Sequence, residues 1–332
     1  MFQTEFIKFL QSFESSWLTY FMAFITSFGY PQFFFVAFLI IIFGIDFKKG
    51  FVLIQVLLLT AATTEFLKNV FALPRPFQVD SNVIRPDISR INDAPFTNMG
   101  AGSFFGLLPQ EVTDYYRNLP DKISYGFPSG HTSSAVTFWG SLTMLFENKY
   151  IKYTSLVMIV LVPFSRLYLG RHFPADIWGG YILGILILVI MYNTFFESER
   201  LSSFLLSAKM KYGNGILNII FNICLIALPL IFFLLLPYYF SKFTGYWFGM
   251  NAAFLIIADY KTLIFAEGIQ KRIISVLTAA IIFSLTELLL KVLISILGLE
   301  VLNFALFFRG AVVSFAGIFI TLNINRKLKL YK

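Results

Sequence analysis

The chain has 332 residues, of which 58% are hydrophobic, 19% aromatic and 13% charged, with a formal net charge of +8. A soluble domain carries about 25% charged residues, so a fold built around one water-facing surface is excluded. The positive charge would suit nucleic acid in a soluble protein, but here Lys and Arg gather in short loops between apolar runs, where they orient a membrane protein.

Apolar runs of roughly 20 residues, the length a helix needs to cross about 30 Å of hydrocarbon, recur along the chain. They are continuous rather than alternating, which argues against a transmembrane barrel. The runs predict an all-α polytopic bundle of about nine spans, at about 30–45, 51–73, 129–147, 150–168, 174–196, 214–237, 246–266, 272–298 and 301–324. The first 30 residues read as an interfacial helix followed by a short span, or as one longer kinked span. They lack the basic start and small-residue site of a cleavable signal peptide. The one cysteine, Cys224, sits in an apolar run and leaves no internal disulfide.

One long polar loop, 77–127, carries Arg85, Arg90, Arg117 and Lys122 among Asp80, Asp87, Asp93, Glu111, Asp114 and Asp121. The short loops on the other side hold Lys48, Lys49, Lys149, Lys152, Arg200, Lys209, Lys211, Lys261, Lys271 and Arg272, which places that side in the cytoplasm. The long loop then faces outward or into a lumen.

Three polar stretches fall at the outward ends of consecutive spans: KNVFALPRP with Lys68 and Arg75, YGFPSGHTSSA from 125, and SRLYLGRHFPAD from 165 to 176. Their span ends can converge to cluster Lys68, Arg75, Arg166, His131, His172 and Asp176, which takes in both histidines of the chain. Unpaired cations at a bilayer are costly and call for anionic partners, and Asp176 is the one carboxylate in these motifs. A phosphate would balance the remainder. Ser129 and Gly130 after Pro128 put a hydroxyl and open backbone N–H groups at a helix N-terminus, a natural anion site. One imidazole can attack phosphorus while another protonates the leaving alkoxide. Asp176, four residues after His172, can hold a ring N–H. The stretches offer no obvious metal site, and no cofactor is expected.

Lys68-x6-Arg75-Pro76, Pro128-Ser129-Gly130-His131 and Ser165-Arg166-x5-His172-x3-Asp176 together resemble the three-part pattern of the type 2 phosphatidic acid phosphatase superfamily, over about residues 50–195. The resemblance implies a five-to-six-helix phosphatase core, with His172 as nucleophile, His131 as general acid and Asp176 as the partner of His172. It further implies that Lys68, Arg75, Ser129, Gly130, His131 and Arg166 contact phosphate. On this basis residues 1–205 are expected to form the phosphatase core and 206–332 to add transmembrane helices of unassigned role. The expected activity is metal-independent hydrolysis of a phosphomonoester or diphosphate headgroup from a membrane lipid through a phosphohistidine. Candidate substrates include phosphatidate, phosphatidylglycerol phosphate, undecaprenyl diphosphate and sphingosine-1-phosphate. Lys, Ile, Asn and Phe usage suggests an AT-rich bacterial genome, hence a bacterial cytoplasmic membrane with the site on its extracytoplasmic face.

The alternatives are a lipid phosphotransferase, a hydrolase of a soluble phosphate resembling glucose-6-phosphatase, and a transporter or scaffold that binds a phosphate headgroup. Arg171, outside the pattern, is expected to meet lipid headgroups or the surface. In the C-terminal half, Glu287 and Lys291 stand four apart and can pair on one helix face, with Arg309 inside the last span. These helices are expected to shape substrate access or a homodimer contact.

Overall fold

The structure, a computed structural model, describes residues 1–119, 124–193, 215–257 and 268–331. The expected domain boundary at 205 and several loop cations, Lys122, Arg200, Lys209, Lys211 and Lys261, lie outside the described residues. Helices α1 (Glu5–Gln11), α2 (Ser16–Ser27), α3 (Pro31–Ile40, continued by a π-turn Ile41–Ile45), α4 (Phe47–Phe71), α5 (Pro76–Val79) and α6 (Gln110–Arg117) make up the first part of the chain. They are followed by α7 (Gly130–Leu145), α8 (Lys149–Tyr168), α9 (Pro174–Met191), α10 (Ile216–Leu235), α11 (Ser241–Ile257), α12 (Ile269–Ile296) and α13 (Asn303–Lys327). Among the described residues there is no strand beyond an isolated bridge between Arg85 and Ser89.

Six of these helices are long and apolar enough to cross a membrane, or seven if α2 and the α3 rod, bent by 52° at their junction, count as one span. The protein is an integral membrane protein with an all-helical fold. Two of the nine expected spans, at 129–147 and 246–266, fall on α7 with 16 residues and α11 with 17, and α11 runs up to residues outside the described set.

Local sequence explains where the helices begin. Asp46 starts α4 by accepting the Lys49 N–H on Oδ1 at 3.0 Å, and Asn148 starts α8 by accepting those of Tyr150 and Ile151 at 2.8 and 3.3 Å. The Ser129 hydroxyl caps α7 through the Thr132 N–H.

The chain divides into two compact units. The first comprises Met1–Phe34 and Leu59–Val189. In it α1, α2 and α7 pack on α8, and α7 meets α9 closely at glycines. A Cβ on Gly180 would stand 2.7 Å from the Ser129 carbonyl oxygen, and one on Gly184 would stand 2.8 Å from Val136 Cβ. The long loop, in which α6 is the one helix of two turns among the described residues, folds around a small core of Ile7, Val79, Val83, Leu108, Val112, Tyr116 and Phe173. Burying such side chains contributes roughly 1.5–3 kcal/mol each, enough to fix a loop that has few helical hydrogen bonds.

The second unit comprises Phe35–Leu58 and Ile190–Lys332, so the division falls inside α3 and α4. Here α11 packs on α10 and α13, and α12 packs on α13. Gly245 and Gly249, four apart on α11, face the Phe307 and Ala311 backbone, while Gly310 faces the Lys242 backbone. Small residues at this spacing let membrane helices approach to backbone contact. Polar links close the bundle: Gln55 takes the Trp247 indole N–H at 2.8 Å and donates to Asn251 at 2.6 Å, and Ser275 donates to the Phe43 carbonyl at 2.6 Å.

Glu287 does not pair with Lys291 as its spacing suggested. Its carboxylate is held instead by Lys242 on α11 and Arg309 on α13, with the Tyr246 hydroxyl at 3.0 Å. Lys291 sits on an exposed side of α12, and a bond to two other helices places Glu287 where it neutralises two intramembrane cations rather than one.

Candidate active site

The site lies within the first unit and is built from five helix ends. Lys68 stands in the last turn of α4, Arg75 just before α5, Ser129, Gly130 and His131 at the start of α7, and Arg166 in the last turn of α8. His172 falls in the link to α9, and Asp176 in the first turn of α9.

The interval between Arg166 and His172 follows from how α8 ends. Leu169 is its C-cap and Gly170 adopts φ +66°, a left-handed conformation open to glycine at little cost. The Gly170 N–H bonds the Leu167 carbonyl at 3.0 Å and the Arg171 N–H bonds that of Arg166 at 2.9 Å, the paired closure of a helix C-terminus by a glycine. His172 is the next residue, and Pro174 opens α9 two positions later. Asp176 then reaches back, its Oδ2 accepting the Phe173 N–H at 2.9 Å, which satisfies a first-turn donor.

The same Oδ2 lies 3.2 Å from His172 Nδ1. That contact turns His172 Nε2 toward Arg75, whose Nη1 is 3.5 Å away. Arg75 is itself fixed by carbonyls: Nε donates to Ser124 at 2.8 Å and Nη1 to Arg171 at 3.2 Å. His172 is 1% exposed. Burial strips water from its charged form, and Arg75, Arg166 and Lys68 add repulsion, so the imidazole is held well below the ordinary histidine range. The neutral ring, with a lone pair on Nε2, is the favoured form at neutral pH.

Around that nitrogen stand donors without acceptors. Arg166 Nε and His131 Nε2 are buried and have no hydrogen-bond partner among the described residues. Lys68, also buried, lies with Nζ 3.9 Å from where a Cβ of Gly130 would be and forms no ion pair among the described residues. In the first turn of α7 the Ser129 oxygens take the N–H groups of Thr132 and Ser133, which leaves those of Gly130 and His131 directed out of the helix end. Three cations, one carboxylate and a helix N-terminus together form a pocket for an anion with several acceptor oxygens.

Two groups come from a segment that the motifs do not contain. Thr26, at the end of α2, accepts from Arg166 Nη1 at 2.8 Å. Tyr30 sets its ring edge-on to that of His131, with centroids 4.8 Å apart. Between them a Cβ on Gly29 would stand 2.5 Å from His131 Cδ2. The only sequence signal for this elbow was Gly29 followed by Tyr30 and Pro31, which marks a helix break and carries no chemistry by itself. Gly29→Ala is expected to push His131 off the anion pocket and lower kcat at least tenfold while the folded protein persists. Kinetics beside thermal unfolding of the purified variant checks this.

Arg171 is not at the lipid surface. Its Nη2 lies 2.9 and 2.8 Å from the two carboxylate oxygens of Asp87, and both side chains are 13% exposed. The loop supplies a partner that its sequence position did not reveal.

These helix ends bring a buried imidazole together with three cations and a helix N-terminus. A family model described as the PAP2 superfamily matches residues 49–200 of the chain. Over 69 residues it is 35% identical to the undecaprenyl-diphosphatase BcrC of Bacillus subtilis, covering 21% of this chain and 35% of the relative. Over 219 residues it is 29% identical to a protein of Dictyostelium discoideum named probable sphingosine-1-phosphate phosphatase, covering 61% of this chain and 46% of the relative. The chain thus spans less than half the length of either relative. The crystal structure of Aquifex aeolicus LpxE matches with 23% identity and a TM-score of 0.41, over 58% of this chain and 96% of that one.

Proposed function

We propose that the protein is a membrane lipid phosphatase that removes a phosphomonoester or diphosphate headgroup through a phosphohistidine, on the extracytoplasmic face of a bacterial cytoplasmic membrane. The observation that carries this reading is that Arg166 Nε and His131 Nε2 are buried without a partner among the described residues, in the same cluster as a buried His172 held by Asp176. In the proposed reaction Nε2 attacks phosphorus, forming a P–N bond as the bond from phosphorus to the lipid oxygen breaks. His131 gives its proton to the departing alkoxide, and water then displaces Nε2 from the phosphoryl group while returning a proton to His131. Asp176 holds the Nδ1 proton so that the reacting lone pair stays on Nε2. Lys68, Arg75, Ser129, Gly130 and Arg166 bind the phosphoryl oxygens. The relatives' names include an undecaprenyl-diphosphatase and a sphingosine-phosphate phosphatase, which supports a lipid substrate for this chain. A site at headgroup depth can take such a lipid sideways without withdrawing its tails from the bilayer.

Purified protein is expected to release inorganic phosphate from at least one of phosphatidate, phosphatidylglycerol phosphate, undecaprenyl diphosphate and sphingosine-1-phosphate. Release should persist in EDTA and be inhibited by vanadate. Phosphate release from none of these lipids, or equal turnover of a short soluble phosphate, would overturn the lipid phosphatase reading. Release only in the presence of an acceptor alcohol would assign a transferase instead.

A further inference from the structure

Arg75 Nη1 meets His172 Nε2 at 3.5 Å and, at 3.2 Å, donates to the carbonyl of the preceding residue, Arg171. The N–H of Arg171 is already fixed by the closure of α8 on the Arg166 carbonyl. Its carbonyl lies beyond that closure and accepts from Arg75, and its side chain adds a further tie to the rest of the unit. The guanidinium meets Asp87 through two bonds from Nη2, in a setting largely shielded from water. Shielding limits screening by salt, and a carboxylate that engages with both oxygens fixes direction as well as distance.

Asp87 stands on firm ground. Its turn is closed by the Ser89 N–H on the Arg85 carbonyl at 2.9 Å and the Arg85 N–H on the Ser89 carbonyl at 3.3 Å. Just before it, Gln11 of α1 accepts the Ile84 N–H at 3.1 Å and donates to the Ile84 carbonyl at 2.9 Å. The same amide donates to the Tyr168 carbonyl at 3.0 Å, at the far end of the catalytic turn. The loop and the turn bearing His172 are therefore held at two points on either side of Gly170, by Gln11 and by Asp87.

We infer that Asp87 and Arg171 are positioning residues: their ion pair sets the Arg171 carbonyl, and that carbonyl holds the Arg75 guanidinium against His172 Nε2. The inference rests on the phosphatase reading of the site. Without Asp87 the Arg171 side chain loses its carboxylate partner, and its Nε is already buried without a partner among the described residues. The guanidinium then turns toward water and carries the carbonyl with it. A displacement of about 1 Å at a phosphate-binding group costs on the order of 100-fold in rate.

The test is a cycle of Asp87→Ala, Arg75→Ala and the double variant in purified full-length protein. It is read as kcat/KM on whichever lipid phosphate the wild type hydrolyses and as vanadate affinity. Asp87→Asn serves as a second, near-isosteric variant should the alanine fail to fold. Asp87→Ala is expected to lower kcat/KM and vanadate affinity about 10- to 100-fold in the wild-type background. In the Arg75→Ala background the same substitution is expected to have no further effect, because the residue it acts through is gone. Equal losses in both backgrounds would reduce Asp87 to a structural support, and no loss in the single variant would overturn the inference outright. A wild type that hydrolyses none of the lipids removes the phosphatase reading instead, and the vanadate arm still scores the coupling.

Discussion

Replacing His172 by Ala is expected to bring phosphate release to the uncatalysed background, a loss of about 10⁴-fold or more, because the attacking nitrogen of the proposed reaction is removed. His131→Ala retains the nucleophile and loses the proton donor, so its loss is smaller, about 10²–10⁴-fold, and depends on the leaving group. Phosphate release from a lipid substrate, with unfolding midpoints as a control, separates the two. More than a hundredth of wild-type turnover in His172→Ala would sink the phosphohistidine route. The pH profile adds a sign. His172 must be neutral to attack, and burial followed by the charges of Arg75, Arg166 and Lys68 lowers its affinity for a proton. The acid limb of kcat/KM that belongs to this group is therefore expected below about 6.5, the ordinary histidine value. In Arg75→Ala one of those cations is gone, and the limb is expected to move upward.

The second large effect concerns stability. Glu287→Ala is expected to destabilise the second unit by about 3 kcal/mol, the low end of the range for breaking a buried ion pair, because Lys242 and Arg309 would face each other without their shared carboxylate. The side chain of Glu287 is 29% exposed, which argues for the low end. Residues of the first unit do not take part in this cluster, so kcat per folded molecule is expected to hold. Thermal unfolding in detergent together with activity of the folded fraction checks both halves. A variant with unchanged unfolding would show that the cluster is dispensable, and one that unfolds normally but turns over no substrate would give it a role in the reaction.

Much of the fold was legible because hydrophobic runs report burial in lipid directly, and the helices at 149–168, 174–191, 269–296 and 303–327 lie on expected spans. The candidate site residues were legible for another reason. Lys68, Arg75, Arg166, His131, His172 and Asp176 sit at the ends of consecutive apolar runs, so membrane topology alone brings them to one side. Contacts across large sequence separations left no such trace. Asp87 is one of several acids in a loop without periodicity, and nothing in its neighbours points to Arg171, 84 positions away. Glu287 illustrates the opposite error: the four-residue spacing to Lys291 was readable, but interhelical partners 45 and 22 positions away took the carboxylate. Local spacing states which pairs are reachable on one helix, and packing decides among them.

The elbow between α2 and α3 bears on how this protein can be taken apart. Thr26, Gly29 and Tyr30 precede residue 49, where the superfamily match begins, yet they touch Arg166 and His131. The matched segment is thus not a self-contained cassette. A chimera that grafts residues 49–200 onto a foreign scaffold would carry every motif residue and still leave His131 without its aromatic wall and Arg166 without its hydroxyl acceptor. Motif searches would rate such a graft as intact, whereas the cluster around His131 and Arg166 would be open along one side.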